Sequence, residues 1–448
     1  MRIAVLGGGL AGLSAAFRAR ELGADVVVYE AASRLGGVVS TRHRDGFLIE
    51  EGPDSILSEK PAARAQLERL GLGDELIGTR PEFRKSYVVR GRRLVPTPEG
   101  FYLLGPSDLA KFWRSPLLSV AGKARASLEP LVPRRRRPGE DESLGSFVRR
   151  RFGQEMLDRV AQPMVGGIYG AHPEELSLAS TFPRFLEMER VHGSVIRGLQ
   201  AAASHRAASG ARYGLFATLR QGMQQWIEAF AGRIGVVRLD TRVTALEPGW
   251  RVRTVGDADS FDGVISALPA HATARLARAF DPALARDLEE IRYGSSVTVA
   301  MAFRESAMGV GLDGSGFVVP AIEEIPLIAC TLAHQKFEGR APAGQALLRA
   351  FFGDAAVGWE DVECERRALD PLALLLRLKE RPLFSVVSRH PRAMPRYRVG
   401  HGALVRQIEE RAGAHRGLFL AGAAYHGVGT PDCVASGERA AEAALARS

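Results

Sequence analysis

The first residues that can do chemistry are three glycines near the amino terminus. Gly7, Gly9 and Gly12 spell G-x-G-x-x-G between an apolar run and a helix-like run. In such a turn the first glycine permits the bend, the second lets the backbone touch a pyrophosphate, and the third lets helix and strand lie close. Leu10 and Ala11 open the helix, so its N-terminal N–H groups face the phosphates. Glu30 ends the next apolar run, where a carboxylate accepts hydrogen bonds from ribose hydroxyls. Together these residues predict a dinucleotide site. Arg34, Gly36 and Gly37 then fall in one turn, AASRLGGVVST. A second glycine pair and an arginine can meet the pyrophosphate and ribityl chain of a cofactor longer than NAD. A glycine turn with a solvated arginine is the bland alternative.

Other chemistries find little support. The ten histidines include no H-x-x-x-H pair, and Cys330, Cys364 and Cys433 are dispersed, so no metal site is expected. No G-x-S-x-G marks a hydrolase nucleophile. The net charge of +9 comes almost wholly from arginine, which favours planar oxyanions. Nucleic acid, anionic lipid and a small polycarboxylate compete as partners. Nucleic acid is the weakest, because the basic residues are scattered apart from one run, Arg134 to Arg137, and no helix-turn-helix or RNA-reading signature accompanies them. No apolar run reaches the roughly 18 to 20 residues that cross a bilayer, and the chain opens on a strand rather than a leader. Unpaired cysteines suit a reducing compartment. A cytoplasmic protein is expected, with peripheral contact to the cytoplasmic membrane kept open.

The elements that must position these residues follow from the pattern. Residues 2 to 6 and 25 to 30 read as buried strands around a helix from Leu10 to Leu22, a βαβ opening. Residues 38 to 51 read as a hairpin turning at Asp45-Gly46. Residues 99 to 200 shift to helical stretches broken by prolines: Ser107 to Trp113, Ser119 to Leu128, Ser143 to Val165 and Ala179 to Leu186. Residues 291 to 355 alternate like an antiparallel sheet. A strand at 417 to 422 and a helix at 431 to 446 close the chain, with Thr430 as the expected cap and Pro431 at the first helical position. The fold class is α/β, α+β overall. A Rossmann-like dinucleotide-binding domain (1–82, 211–290 and 401–448) joins an antiparallel-sheet domain for the substrate (83–98 and 291–400) and an inserted helical domain (99–210).

The order G-x-G-x-x-G, acid, R-x-G-G resembles the flavin amine oxidase superfamily, where it marks FAD. The resemblance implies that the closing helix points its positive end at the flavin pyrimidine and that Gly422 and Val428, in LFLAGAAYHGVG, approach the ring. It also implies that the backbone near Val243 grips adenine. No cysteine lies in that loop, so the FAD is expected to be non-covalent.

Five further blocks are similar to porphyrinogen oxidases of the haem pathway. They are EEGPDSIL (Glu50 to Leu57), SLGSFVRRRFG (Ser143 to Gly153), GGIYGAHPEELSLASTFP (Gly166 to Pro183), MPRYRVGH (Met394 to His401) and GVGTPDC (Gly427 to Cys433). SYVVRGRRLVPTPEG, with Ser86 where the protoporphyrinogen branch usually has arginine, looks most like the bacterial branch acting on coproporphyrinogen III. That resemblance implies removal of six electrons in three flavin cycles, with oxygen as acceptor and hydrogen peroxide released. Gly52 and Pro53 would border the flavin. Asp54 would accept a proton or hold pyrrole N–H groups, with a turn-capping role as its rival. Gly167, Ile168 and Tyr169 would line the face opposite the flavin, core packing being the rival for Tyr169. Arg84, Lys85, Arg90 and Arg92 are candidates for substrate carboxylates. His426 is read as an orienting or surface residue. Residues 101 to 133 mix Phe101, Tyr102, Phe112 and Trp113 with basic groups, as a membrane-surface segment or a substrate entrance would. Protoporphyrinogen IX is the alternative substrate; an amine oxidase and a porphyrin carrier are the other readings.

Overall fold

The computed structural model describes residues 1–98, 100–134, 141–207 and 216–446, and of residues 102, 167, 168 and 203–207 the backbone alone. Arg135 to Arg137 and the start of the 211–290 segment therefore lie outside the described residues.

The opening run RIAVL is buried on both faces, which suits a central parallel strand. It sits in a five-stranded parallel sheet of order Val236–Arg238, Asp25–Tyr29, Arg2–Leu6, Gly263–Ser266, Leu418–Leu420. The helices Leu10–Glu21 and Thr430–Ala446 cover one face. They pack so tightly that a Cβ on Gly437 would lie 2.1 Å from the carbonyl oxygen of Ala11. Ala270–Ala277, Pro282–Glu290 and His401–Ala414 cover the other face. The hairpin Thr41–Arg44/Phe47–Glu50 turns on Asp45 and Gly46, both with positive φ as a two-residue hairpin loop needs.

A seven-stranded sheet stands opposite. Its order is Phe384–Pro395, Tyr293–Arg304, Gln345–Phe352, Ala329–Leu332, Gly314–Val318, Lys85–Arg90, Arg93–Pro96. It departs from the expected antiparallel sheet at one pair: Gly314–Val318 runs parallel to Lys85–Arg90. These strands come from distant stretches of chain, so no hairpin dictates their direction.

The helical region has its own core around Phe112, Phe147, Phe152 and Phe185. A fully buried ion pair, Arg151 with Glu129, ties it together, and Glu129 also accepts from Ser194 and the Val195 N–H. Two expected helices are divided. Ser143 to Val165 becomes Leu144–Phe152, a short turn, a π-helical turn at Leu157–Ala161 and Gln162–Tyr169. Gly153, at φ 96°, makes the first break. Ala179 to Leu186 becomes Leu178–Thr181 and Pro183–His192, because Pro183 lacks the N–H that would continue the first helix. Among the described residues, no helix is long and apolar enough to cross a membrane.

Candidate active site

A cavity of about 590 Å³ runs from the first glycine turn to the inner face of the seven-stranded sheet. Of the expected cofactor residues, Gly7, Gly9, Leu10, Ala11, Glu30, Gly36, Gly37, Gly52, Pro53, Gly422 and Val428 line it. The two glycine turns meet: the Gly36 N–H donates to the Gly8 carbonyl at 2.7 Å, and a Cβ on Gly37 would sit 3.3 Å from Gly9 Cα. A Cβ on Gly9 meets nothing within 4 Å, so it would project into open space. One on Gly12 would lie 1.9 Å from the Gly7 carbonyl oxygen, which makes Gly12 a packing residue outside the lining. Gly9 caps the helix with no side-chain hydrogen bond, leaving first-turn N–H groups for an anion.

Glu30 accepts from the Gly8 and Ala32 N–H groups at 2.7 and 2.8 Å. These bonds fix the carboxylate, and its remaining lone pairs can take ribose hydroxyls. Arg34 does not line the cavity. Its guanidinium donates to the Leu35, Gly37 and Val39 carbonyls, so it braces the second glycine turn from behind. Val243 is half-buried beside the parallel sheet and also lies off the lining. Its neighbour Thr241 donates its backbone N–H to the Glu30 carbonyl at 2.8 Å, which keeps this segment near the ribose end.

At the other end of the cavity, Thr430 is the first residue of the closing helix rather than its cap. Asp432 accepts from the Gly429 N–H instead. The Thr430 hydroxyl is buried and has no hydrogen-bond partner among the described residues, and the residue lines the cavity. Tyr397 fixes the preceding loop: its hydroxyl donates to the Ala423 carbonyl at 2.6 Å and accepts from the Gly427 N–H at 2.7 Å. The ring stacks on His401 at 3.9 Å, and burial pulls that imidazole down to about 4. His426 lies outside, paired with Glu409 at 2.6 Å. Cys433 reaches the cavity although it is absent from the loop, and burial pushes its thiol up to about 12. A neutral thiol is a poor nucleophile.

Asp54 departs from expectation. Its carboxylate is off the lining and is held by Lys336 at 2.9 Å through both oxygens, by Ser55 Oγ at 2.7 Å and by Arg349 at 3.4 Å. Burial alone would raise its pKa, but the two cations and these hydrogen bonds hold it well below the usual carboxylate range. Engaged by two cations and off the lining, the carboxylate is placed to anchor the turn it follows rather than to face the cavity. Arg349 is 2% exposed and also donates to the Gly52 carbonyl at 2.8 Å, tying the seven-stranded sheet to the Gly52-Pro53 turn.

Tyr169 is a core residue. It packs edge-on against Phe182, and its hydroxyl reaches only the Thr181 carbonyl at 3.4 Å. Gly167 and Ile168 lie on the same helix, but their side chains are outside the described residues; Gly166 and Gly170 line the cavity. None of Arg84, Lys85, Arg90 and Arg92 lines it, and Lys85 and Arg90 are engaged by Asp313 and the Pro116 carbonyl. In the 101 to 133 segment Phe112 is buried and Trp113 exposed, while the Tyr102 side chain is outside the described residues.

The glycine cradle, the bare helix N-terminus, the fixed Glu30 and the unpartnered Thr430 hydroxyl together suit a long dinucleotide. A family model described as flavin containing amine oxidoreductase matches residues 10–445. The chain belongs to this family. It is an FAD-dependent oxidase, and FAD is the group the cradle fits. Among its relatives, coproporphyrinogen III oxidase of Bacillus subtilis is 32% identical across 99% of this chain and 97% of that one. The protein of that name from Propionibacterium freudenreichii is 34% identical across 98% and 90%. A crystal structure from Exiguobacterium sp. 255-15, provisionally described as a protoporphyrinogen oxidase, superposes with a TM-score of 0.88. It covers 99% of this chain and 98% of that chain at 30% identity.

The sequence reading missed the site roles of Lys336, Arg349, His390, Tyr397 and Cys433. Only Tyr397 and Cys433 stood in a quoted block, and nothing in either block showed what the side chain would touch.

Proposed function

We propose that this oxidase converts coproporphyrinogen III to coproporphyrin III, with protoporphyrinogen IX as the alternative substrate. The observation that carries the reading is the far wall of the cavity, where Tyr293, Ile328, Phe351, Phe352, Met394 and Pro395 make a broad apolar face across from the cofactor cradle. A flat tetrapyrrole suits such a face, and the names of the relatives point to the same substrate class. When bound, FAD would supply the two-electron redox chemistry, three rounds of it giving the six-electron oxidation with oxygen as acceptor and hydrogen peroxide as by-product.

The chain's own residues orient the substrate and exclude water. Ser295, Ser296, Thr298 and His390 are the polar groups of the sheet wall. His390 Nε2 is held at 2.8 Å from the Glu51 carbonyl oxygen. The Glu51 carboxylate is engaged by Ser40 and Arg42, both at 2.7 Å. No free strong base faces this wall among the described residues, so positioning and desolvation are the protein's contribution. Gly167 and Ile168 are retained as candidates for the opposing face, Val243 for the adenine end, and non-covalent retention as the mode of FAD binding. The three-region division of the chain and a cytoplasmic setting with peripheral membrane contact belong to the same reading.

Macrocycle fluorescence followed with both porphyrinogens at matched concentration tests it. A larger kcat/KM with coproporphyrinogen supports the assignment; a preference for protoporphyrinogen transfers it to the alternative; no turnover of either refutes it.

A further inference from the structure

The cations first considered for the substrate's carboxylates do not line the cavity, but a different basic group lies at its rim, bonded to or packed on the lining residues Ser295 and Tyr293. In the seven-stranded sheet, Gly294 pairs with Met394 and Ser296 with His390, so Pro391, Arg392 and Ala393 bulge out opposite Ser295. Arg392 sits at φ 49°, a left-handed conformation costly for a non-glycine residue. Its N–H donates to Ser295 Oγ at 3.1 Å, which fastens the bulge to a residue lining the cavity. The guanidinium is solvent-facing and makes no hydrogen bond or ion pair among the described residues.

Two more basic groups lie within electrostatic reach of it. His271 packs edge-on against the cavity residue Tyr293 at 5.0 Å, and its Nδ1 is buried without a hydrogen-bond partner. Arg275 follows one turn later on the same helix, exposed and without an ion-pair partner among the described residues. Burial and then the charges of Arg392 and Arg275 lower the His271 pKa, as expected when both arginines face the ring. The acid beside this group, Asp354, is already engaged by the Ser295 N–H and by Arg396. Among the described residues no carboxylate pairs with Arg392 or Arg275, so an anion would stabilise this group, and guanidinium forks suit a carboxylate.

We propose that Arg392, Arg275 and His271 form a carboxylate-binding subsite at the cavity rim that reads the acidic side chains of a tetrapyrrole. The inference rests on the porphyrinogen reading above and deepens it. R392A and R275A are each compared with the parent protein on a porphyrinogen with four carboxylates and one with two. The KM for the first should rise about tenfold and for the second about threefold or less, with kcat and FAD content unchanged. R392K should recover only part of the loss, because the fork is gone. An equal rise with both substrates, or no rise with either, overturns the subsite. Loss of FAD from R392A also overturns it, assigning the cluster to cofactor phosphates. Binding of coproporphyrin III, read from its own fluorescence, separates the two readings. It should weaken about tenfold in R392A even if neither porphyrinogen is turned over, an outcome that sinks the oxidation and leaves the subsite standing.

Discussion

Replacing Asp54 by asparagine should cost stability far more than turnover. The carboxylate lies between Lys336 and Arg349, and the three side chains are 18%, 14% and 2% exposed. Removing one partner of a buried ion pair costs about 3 to 5 kcal/mol, and the residual exposure argues for the low end, about 3. At roughly 2 °C per kcal/mol for a chain of this size, the melting temperature should fall by about 6 °C. The pH dependence has a definite sign. Because the folded-state pKa of Asp54 is depressed, its contribution is complete above the unfolded carboxyl pKa of about 3.9 and is lost as pH falls through the folded value. The gap between parent and variant should therefore stay constant from neutral pH down to about pH 5 and begin to close only below about pH 4. Thermal melts across pH, run with steady-state kcat, measure both. A double-mutant cycle with Lys336→Met should give a coupling of about 1 to 3 kcal/mol. An unshifted melting temperature with kcat reduced a hundredfold or more would mean that Asp54 is the proton acceptor after all.

Further predictions follow from the cofactor cradle. Gly9→Val should lose FAD while the apo protein melts normally, since the new side chain meets open space; Gly12→Ala should destabilise the apo protein, since its Cβ collides with the Gly7 carbonyl. FAD content and apo melting temperatures distinguish them, and the same phenotype in both variants would remove the phosphate-contact argument. Tyr397→Phe should release FAD faster by freeing the Ala423 and Gly427 backbone groups, at a cost of about 1 to 3 kcal/mol. Tyr169→Phe should change FAD release little, given its 3.4 Å contact. Cys433 should resist a thiol reagent at pH 8 in the folded protein, because its thiol is pushed up to about 12, and react on unfolding. Rapid labelling of the native state would contradict the raised thiol pKa.

What could be read from the sequence was local. The opening βαβ and the Asp45-Gly46 hairpin are written in short periodic runs and turn residues, and the glycines of the cradle carry their own conformational reason. The divided helices show where that logic fails: apolar spacing continues through Gly153 and Pro183, while backbone geometry does not. Long-range placement was harder still. Nothing near Asp54 announces Lys336 or Arg349, which arrive some 280 or more residues later from a short helix, Ala333–Lys336, and the strand Gln345–Phe352. Arg34 was read as facing the cofactor because it neighbours Gly36, but a side chain long enough to turn back can spend its donors on its own loop. The bulge at Arg392 is invisible in the sequence, because register is a property of paired strands.

The central claim is that a flavin in this cavity takes electrons directly from a porphyrinogen lying against the sheet wall. Rapid mixing of the purified holoprotein with coproporphyrinogen III under anaerobic conditions tests it, with the visible flavin absorption as the readout. The absorption should bleach in a single exposure to substrate and return when oxygen is admitted. A flavin that stays oxidised in the presence of either porphyrinogen would contradict it.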